Sequence, residues 1–337
     1  MCSQKFIGRE KEIEQFLQYL TQSPEAPQNP LLIINIHGQS GMGKTYLLQQ
    51  FRHLALESGN LSVYLDGDET DIPTIMGTVV KKLGEIDCNL RDIEKYILTN
   101  FPTFSRFISP LKKLSSANPQ LFVDQNFKKF NDQYKLYLQC RSKIDNDPEK
   151  PQGLSNFVGK TTAKVGLSFG KKVPGIDTVL EFFDDEELSK QAEEWAAFIA
   201  KKFNSKDEKS LMRDPLSILT PLFWEGLKNL TQEKLVVICF DNYERVTENV
   251  GIWLRNCLDE DYGKIPQTLI FAIACRKEIN LFQWANYEDK IERICLQPFT
   301  ELEAKQYIEN KGITENNKVN NILHISGKIP GVGEARV

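Results

Sequence analysis

The stretch LLIINIHGQSGMGKT, Leu31 to Thr45, joins two signals whose succession decides the fold. Leu31 to Ile36 is a nearly continuous apolar run of strand length, as expected of a strand buried on both faces of a parallel sheet. Gly38 to Thr45 then satisfies G-x-x-x-x-G-K-[ST] in full. Glycines in such a loop let the backbone curl so that successive N–H groups converge on phosphate oxygens, aided by the positive end of the helix that follows. Lys44 is placed to reach the β- and γ-phosphates, and the Thr45 hydroxyl to ligate Mg2+. The apolar spacing of Leu47, Leu48 and Phe51 predicts a helix over Lys44 to Leu56, so the motif has the strand before and the helix after that its chemistry requires. Gly38, Ser40, Gly41, Met42, Gly43, Lys44, Thr45 and Tyr46 are therefore the candidate binding residues, with ATP or ADP and Mg2+ as ligands. A second Gly-Lys-Thr, at Gly159 to Thr161, is a decoy. Its nearest upstream glycine, Gly153, stands one position too far away, and no apolar strand leads into it.

Outward from this stretch the pattern is α/β. Upstream, Ile13, Phe16, Leu17 and Leu20 predict an amphipathic helix over Glu10 to Leu20, separated from the strand by the proline-rich loop Thr21 to Pro30. Downstream, a strand is expected at Leu61 to Leu65 and a helix at Asp71 to Leu83. Residues 100–213 break the alternation and read as a largely helical insertion, with Gly153 to Gly175 as loop. The alternation then resumes. A helix at Pro215 to Leu230 leads to strand Leu235 to Phe240, a helix at Val250 to Leu258 and strand Thr268 to Ala274. A short strand at Ile291 to Leu296, a helix at Glu301 to Asn310 and a last one at Val319 to Ile325 follow. Strands separated by helices imply a parallel sheet covered on both sides. The expected organisation is a core of residues 1–99 and 214–297, the insertion at 100–213, and a small helical subdomain from 298 to 337.

Bulk properties limit the alternatives. The 337 residues are 41% hydrophobic, ample for a large core, and exceed what one core usually organises. A net charge of -4 gives no global reason to expect nucleic acid or an anionic membrane as partner. No two of the seven cysteines stand in a C-x-x-C spacing, and the three histidines are scattered, so reduced thiols are expected rather than disulfides or a zinc site. The N-terminus becomes charged at once, no apolar run approaches the ~18 residues of a membrane span, and a cytoplasmic location is expected.

Two further segments carry chemistry. In LVVICFDNYE an apolar strand ends in Asp241, a rigid support for a carboxylate that would hold Mg2+ opposite the phosphate loop. Glu244, three residues on, is a candidate to orient or deprotonate an attacking water. Asn242 stands where many ATPases carry a catalytic acid, which points to slow or conditional hydrolysis. Strand TLIFAIA delivers Arg276 just beyond its end, either to touch the γ-phosphate or to form a surface salt bridge.

With these residues in view, the sequence resembles the STAND ATPases, signal-transduction relatives of AAA+ proteins that include the NACHT and NB-ARC groups. Phe6-Ile7-Gly8-Arg9-Glu10 resembles their opening hhGRE signature, and FDNYE their Walker B segment. ACRKE is similar to the sensor-1 arginine segment, LQPFTELEAKQYI to the lead into the helical subdomain, and SGKIPG to the G-x-P motif. All fall in family order. The resemblance implies an α/β, parallel-sheet ASCE P-loop NTPase core with a C-terminal helical subdomain. It further implies that Gly8 and Arg9 lie near the adenine and ribose and that Pro330 packs on the base. Lys44 and Asp241 stand much further apart than is usual in the family, hence the insertion. Within these 337 residues no effector domain is expected ahead of residue 6, and no winged helix or sensor repeats after the last motif. Effector and sensor functions are therefore expected on other polypeptides or on a missing C-terminal part.

Within the insertion, Phe127, Phe130, Tyr134 and Tyr137 interleave with Lys128, Lys129, Lys135, Arg141 and Lys143. Such a mixture can clamp single-stranded nucleic acid, but the aromatic spacing i, i+3, i+7, i+10 is that of a helix burying one face, and the core reading is preferred. The acidic run Asp184 to Glu187 reads as a solvated helix start. The function expected overall is an ATP/ADP-controlled switch with slow ATP hydrolysis, self-association and control of an effector, with defence as one setting. Two alternatives stand beside it: an AAA+-like loader or motor acting on nucleic acid, and an interaction scaffold that holds nucleotide without cycling.

Overall fold

The computed structural model of the chain describes residues 6–21, 32–85, 125–151, 185–230 and 234–331. Helix α1 (Glu10–Thr21) precedes strand β1 (Leu32–His37), helix α2 (Lys44–Glu57), strand β2 (Leu61–Leu65) and helix α3 (Ile72–Gly84). Helices α4 (Lys128–Asp145), α5 (Asp185–Lys202), α6 (Lys206–Arg213) and α7 (Pro215–Leu230) follow. The chain continues through β3 (Val236–Phe240), α8 (Thr247–Leu258), β4 (Leu269–Cys275) and β5 (Ile291–Cys295), and closes with α9 (Glu301–Asn310) and α10 (Asn316–Ser326).

The five strands form one sheet in the order β2-β3-β4-β1-β5, every pairing parallel. This is the α/β P-loop NTPase architecture expected from the alternation. Strand β4 lies between the loop-bearing strand β1 and the Asp241 strand β3, so two carboxyl ends distant in sequence open on one edge of the sheet. Side chains alternate between the faces. Ile34, Ile36, Val237, Cys239, Ile270, Ala272 and Ala274 face one core with α1 and α2, where the small residues admit α2 closely. Ile33, Val236, Ile238, Phe240, Leu269, Phe271 and Ile273 face the other, which includes α3, α7 and α8. Burial on both sides explains why these strands read as nearly continuous apolar runs.

Helix α4 continues that second core. Phe127, Phe130 and Tyr137 are fully buried, with Tyr134 packed against them, and the Phe127 and Phe130 rings lie 6.2 and 5.8 Å from Phe223 of α7. The aromatic stripe thus serves packing. The approach is close: a Cβ on Gly226 of α7 would fall 2.4 Å from the Phe127 ring, and one on Gly77 of α3 would fall 2.2 Å from Tyr134. A polar lock adds to it. Asp71 caps α3, accepting from Thr74 N–H at 3.0 Å, and accepts the Tyr137 hydroxyl at 3.1 Å from α4. Gly153 to Gly175 and the decoy Gly159 to Thr161 lie outside the described residues, as does Asp184; the helix expected there starts at Asp185.

Strand limits match the expected ones within a residue. Helices α8 and α10 start three residues earlier than expected, at Thr247 and Asn316, because polar first turns carry no apolar periodicity. Helices α9 and α10 pair over a small core of Phe299, Ala304, Ile308, Val319 and Leu323. A capping box opens α9: Thr300 accepts from Glu303 N–H while the Glu303 carboxylate accepts from Thr300 N–H at 2.8 Å. Cys140, Cys239, Cys257 and Cys275 are buried free thiols and Cys295 is exposed. Among the described residues no helix is long and apolar enough to cross a membrane.

Candidate nucleotide site

The phosphate loop turns on two glycines in the left-handed region, Gly41 (φ 84°) and Gly43 (φ 87°), where a side chain would be strained. Around a Cβ placed on Gly43 there is nothing within 4 Å, so the loop encloses open space. Helix α2 starts from Gly43 with no side-chain cap, leaving first-turn N–H groups for an outside acceptor. Lys44 folds back over the loop, its ammonium donating to the carbonyls of Gly38 at 2.8 Å and Gln39 at 2.9 Å. Among the described residues no carboxylate pairs with it. Burial lowers its pKa from the ordinary lysine value, opposed by the negative field of Glu244 and then of Cys275 and Asp241. A held ammonium, free helix-end donors and an open glycine cradle fit a polyphosphate.

A cavity of about 410 Å³ spreads from this loop. Its lining includes the polar Lys44, Thr45, Asp241, Glu244 and Arg276, brought from three separate elements, and the apolar Phe6, Ile7, Phe299 and Pro330. Asp241 N–H donates to Leu65 O at 2.8 Å, extending the β2–β3 ladder one residue and anchoring the carboxylate, which is nearly fully buried. Thr45 and Asp241 thus share one cavity wall, the arrangement a hydrated Mg2+ would need. Glu244 and Arg276 form an ion pair at 3.2 Å in which Arg276 stays largely exposed. Glu244, the candidate base, and Arg276, read as a γ-phosphate contact or a surface salt bridge, thus engage each other in the cavity lining.

Arg9 is a joint rather than a free cation. Its guanidinium donates to Met42 O in the phosphate loop at 3.0 Å and to Gln297 O beyond β5 at 2.7 Å, and lies 5.1 Å over the Phe299 ring. Burial lowers its pKa, with Glu12 and Glu303 opposing. Gly8 acts through conformation: at φ 70°, its missing Cβ leaves room for Glu303, whose Oε1 would otherwise sit 2.4 Å away. Neither Gly8 nor Gly38 is among the cavity-wall residues; Gly38 instead packs its Cα against Leu296 beyond β5. The segment after α10 closes over the loop: Gly331 N–H donates to Gly41 O at 2.9 Å, and Pro330 lines the cavity.

Two contacts escaped the sequence reading. The Tyr64 hydroxyl donates to Asp241 Oδ2 at 2.7 Å. Asn35, a polar residue fully buried within β1, donates to Cys275 Sγ at 3.1 Å and accepts Ile279 N–H at 3.2 Å, fixing the turn that presents Arg276. The one polar letter in the run LLIINI is a signal for the second; the first has none.

Sheet order, glycine cradle and a buried carboxylate at the end of β3, one strand removed from β1, are the architecture of a P-loop NTPase core. Residues 5–90 match the profile of the AAA ATPase domain, a span that takes in the N-terminal segment, the phosphate loop and α3. No curated protein matches the chain. The AAA+-like character and nucleotide binding thus rest on the first quarter of the chain together with the fold of the other described residues.

Proposed function

We propose that this chain is an ATP/ADP-controlled switch of the STAND type, in which Mg2+ is held by Thr45 and Asp241 and the bound nucleotide governs how the small C-terminal subdomain sits on the core. The observation that carries this reading is the direct seating of that subdomain on the phosphate loop through Gly331 and Gly41, with Arg9 tying Met42 to the β5 exit. A ligand in the cavity touches both bodies, so a change at its γ-phosphate biases their relative position. The core of 1–99 and 214–297, the insertion 100–213 and the subdomain 298–337 are its working parts. Lys44 and Arg276 would contact phosphate, and Gly8, Arg9 and Pro330 would lie towards the base and ribose. Glu244 would serve water only after leaving Arg276, which, with Asn242 in the usual acid position, accounts for slow hydrolysis. Self-association in the ATP state and control of an effector, in the cytoplasm, complete the proposal.

The test is to denature the purified protein and identify released nucleotide by chromatography, then to compare mass and shape with ADP and with ATP by light scattering and small-angle X-ray scattering. Near-stoichiometric ADP, with a change in mass or shape on exchange, is the expected result. An empty site that turns over added ATP rapidly, without such a change, overturns the switch in favour of a turnover ATPase.

A further inference from the structure

The Asp241 carboxylate is held from two sides. Asn242 N–H donates to Oδ1 at 2.9 Å, and the Tyr64 hydroxyl donates to Oδ2 at 2.7 Å. Tyr64 reaches across from β2, which pairs with β3 in the register Tyr64↔Cys239 and Leu65↔Phe240. It is itself fixed. Its carbonyl accepts from Lys82 Nζ of α3 at 2.7 Å, and its side chain lines a surface pocket together with Gln49 of α2. Gln49 stands four residues after Thr45 on α2, on the same helical face. Tyr64 therefore stands beside the helix that carries Thr45 and bonds to the carboxylate at the end of the strand that carries Asp241.

The arrangement asks for a hydroxyl. A phenylalanine ring would fill the same half-buried site, and an aliphatic side chain would suit its apolar neighbours as well. Instead a phenol is aimed at an oxygen of a carboxylate that lines the nucleotide cavity. Without it, Oδ2 has no donor from β2 and the carboxylate is fixed by a single main-chain bond at its other oxygen.

We infer that Tyr64 is a positioning residue for Mg2+, holding the Asp241 carboxylate in the one orientation in which it serves the metal together with Thr45. This rests on the reading of Asp241 as the magnesium carboxylate. Partners that orient a metal-binding carboxylate typically change metal affinity by roughly 10–100-fold.

The full-length chain, its Tyr64→Phe variant and its Asp241→Asn variant are each saturated with mant-ATP, and Mg2+ is titrated in from an EDTA baseline while fluorescence reports binding. For Tyr64→Phe the expected result is a Mg2+ half-saturation point raised by about 10-fold, with mant-ATP affinity in EDTA and the thermal midpoint close to wild type. A wild-type or lower Mg2+ requirement in Tyr64→Phe overturns the inference. So does an equal loss of mant-ATP affinity with and without Mg2+, which would mark a structural role. If Asp241→Asn loses its Mg2+ dependence while Tyr64→Phe keeps the wild-type half-saturation point, Tyr64 alone is misassigned. If Asp241→Asn keeps it, the reading of Asp241 itself has failed.

Discussion

Replacing Gly331 by alanine should release the small subdomain from the phosphate loop, and the structure sets the size of the effect. Gly331 lies outside the left-handed region of backbone conformation, so alanine carries no strain of its own there. The added methyl would sit 2.7 Å from the Cα of Gly41 and 3.2 Å from its carbonyl oxygen. Both are main-chain atoms and neither can rotate aside. Ordinary carbon contact is reached only if the two segments separate by roughly 1 Å. That separation stretches the 2.9 Å bond from Gly331 N–H to Gly41 O beyond useful length. The lost bond costs about 1 kcal/mol, and residual crowding adds about 1–2 kcal/mol. The closed arrangement then weakens by about 2–3 kcal/mol, or roughly 30- to 150-fold. Stopped-flow release of mant-ADP should accelerate towards that factor, and small-angle scattering should show a larger radius of gyration. The core clusters contain neither glycine, so the urea midpoint of the main transition should stay put. Release of mant-ADP at the wild-type rate from Gly331→Ala would refute the claim that this contact holds the subdomain down.

Three other outcomes are expected. Asn35→Leu leaves the buried Ile279 N–H without its acceptor, and should cost about 1–3 kcal/mol in urea unfolding while weakening discrimination between ATP and ADP if Arg276 reads the γ-phosphate. Phe127→Ala should lose about 3–5 kcal/mol in a single cooperative unfolding transition, because α4 shares one core with α3, α7 and α8; two separate transitions would show that the insertion folds by itself. Burial raises the folded-state pKa of Glu57 above its ordinary value, although the His53 hydrogen bond pulls it down. The folded chain then holds this proton more tightly than the unfolded one, so Glu57 favours folding most below the ordinary carboxylate pKa. That contribution fades as pH rises through the raised value. The thermal midpoint of Glu57→Gln should therefore gain on wild type between pH 4 and pH 7, and parallel curves would exclude Glu57 as the group responsible.

The phosphate loop was legible in the sequence because its chemistry is written by contiguous backbone: one run of residues supplies the glycines, the lysine, the hydroxyl and the helix start. The strands were legible because a sheet covered on both faces leaves nearly continuous apolar runs, and Asp241 because it is the first acid after one of them. The packing role of Phe127, Phe130, Tyr134 and Tyr137 followed from their helical period. What closes the site was decided by the tertiary structure. Tyr64 meets Asp241 across 177 positions, and Asn35 meets Cys275 across 240. Arg9 lines the cavity and gives its guanidinium to the carbonyls of Met42 and Gln297. Glu244 and Arg276, read from sequence as separate agents, meet as a pair. No local period or composition encodes such meetings. They follow from strand order, which sets the carboxyl ends of β1, β3 and β4 side by side, and from the glycine contact that lets the last helices rest on the loop.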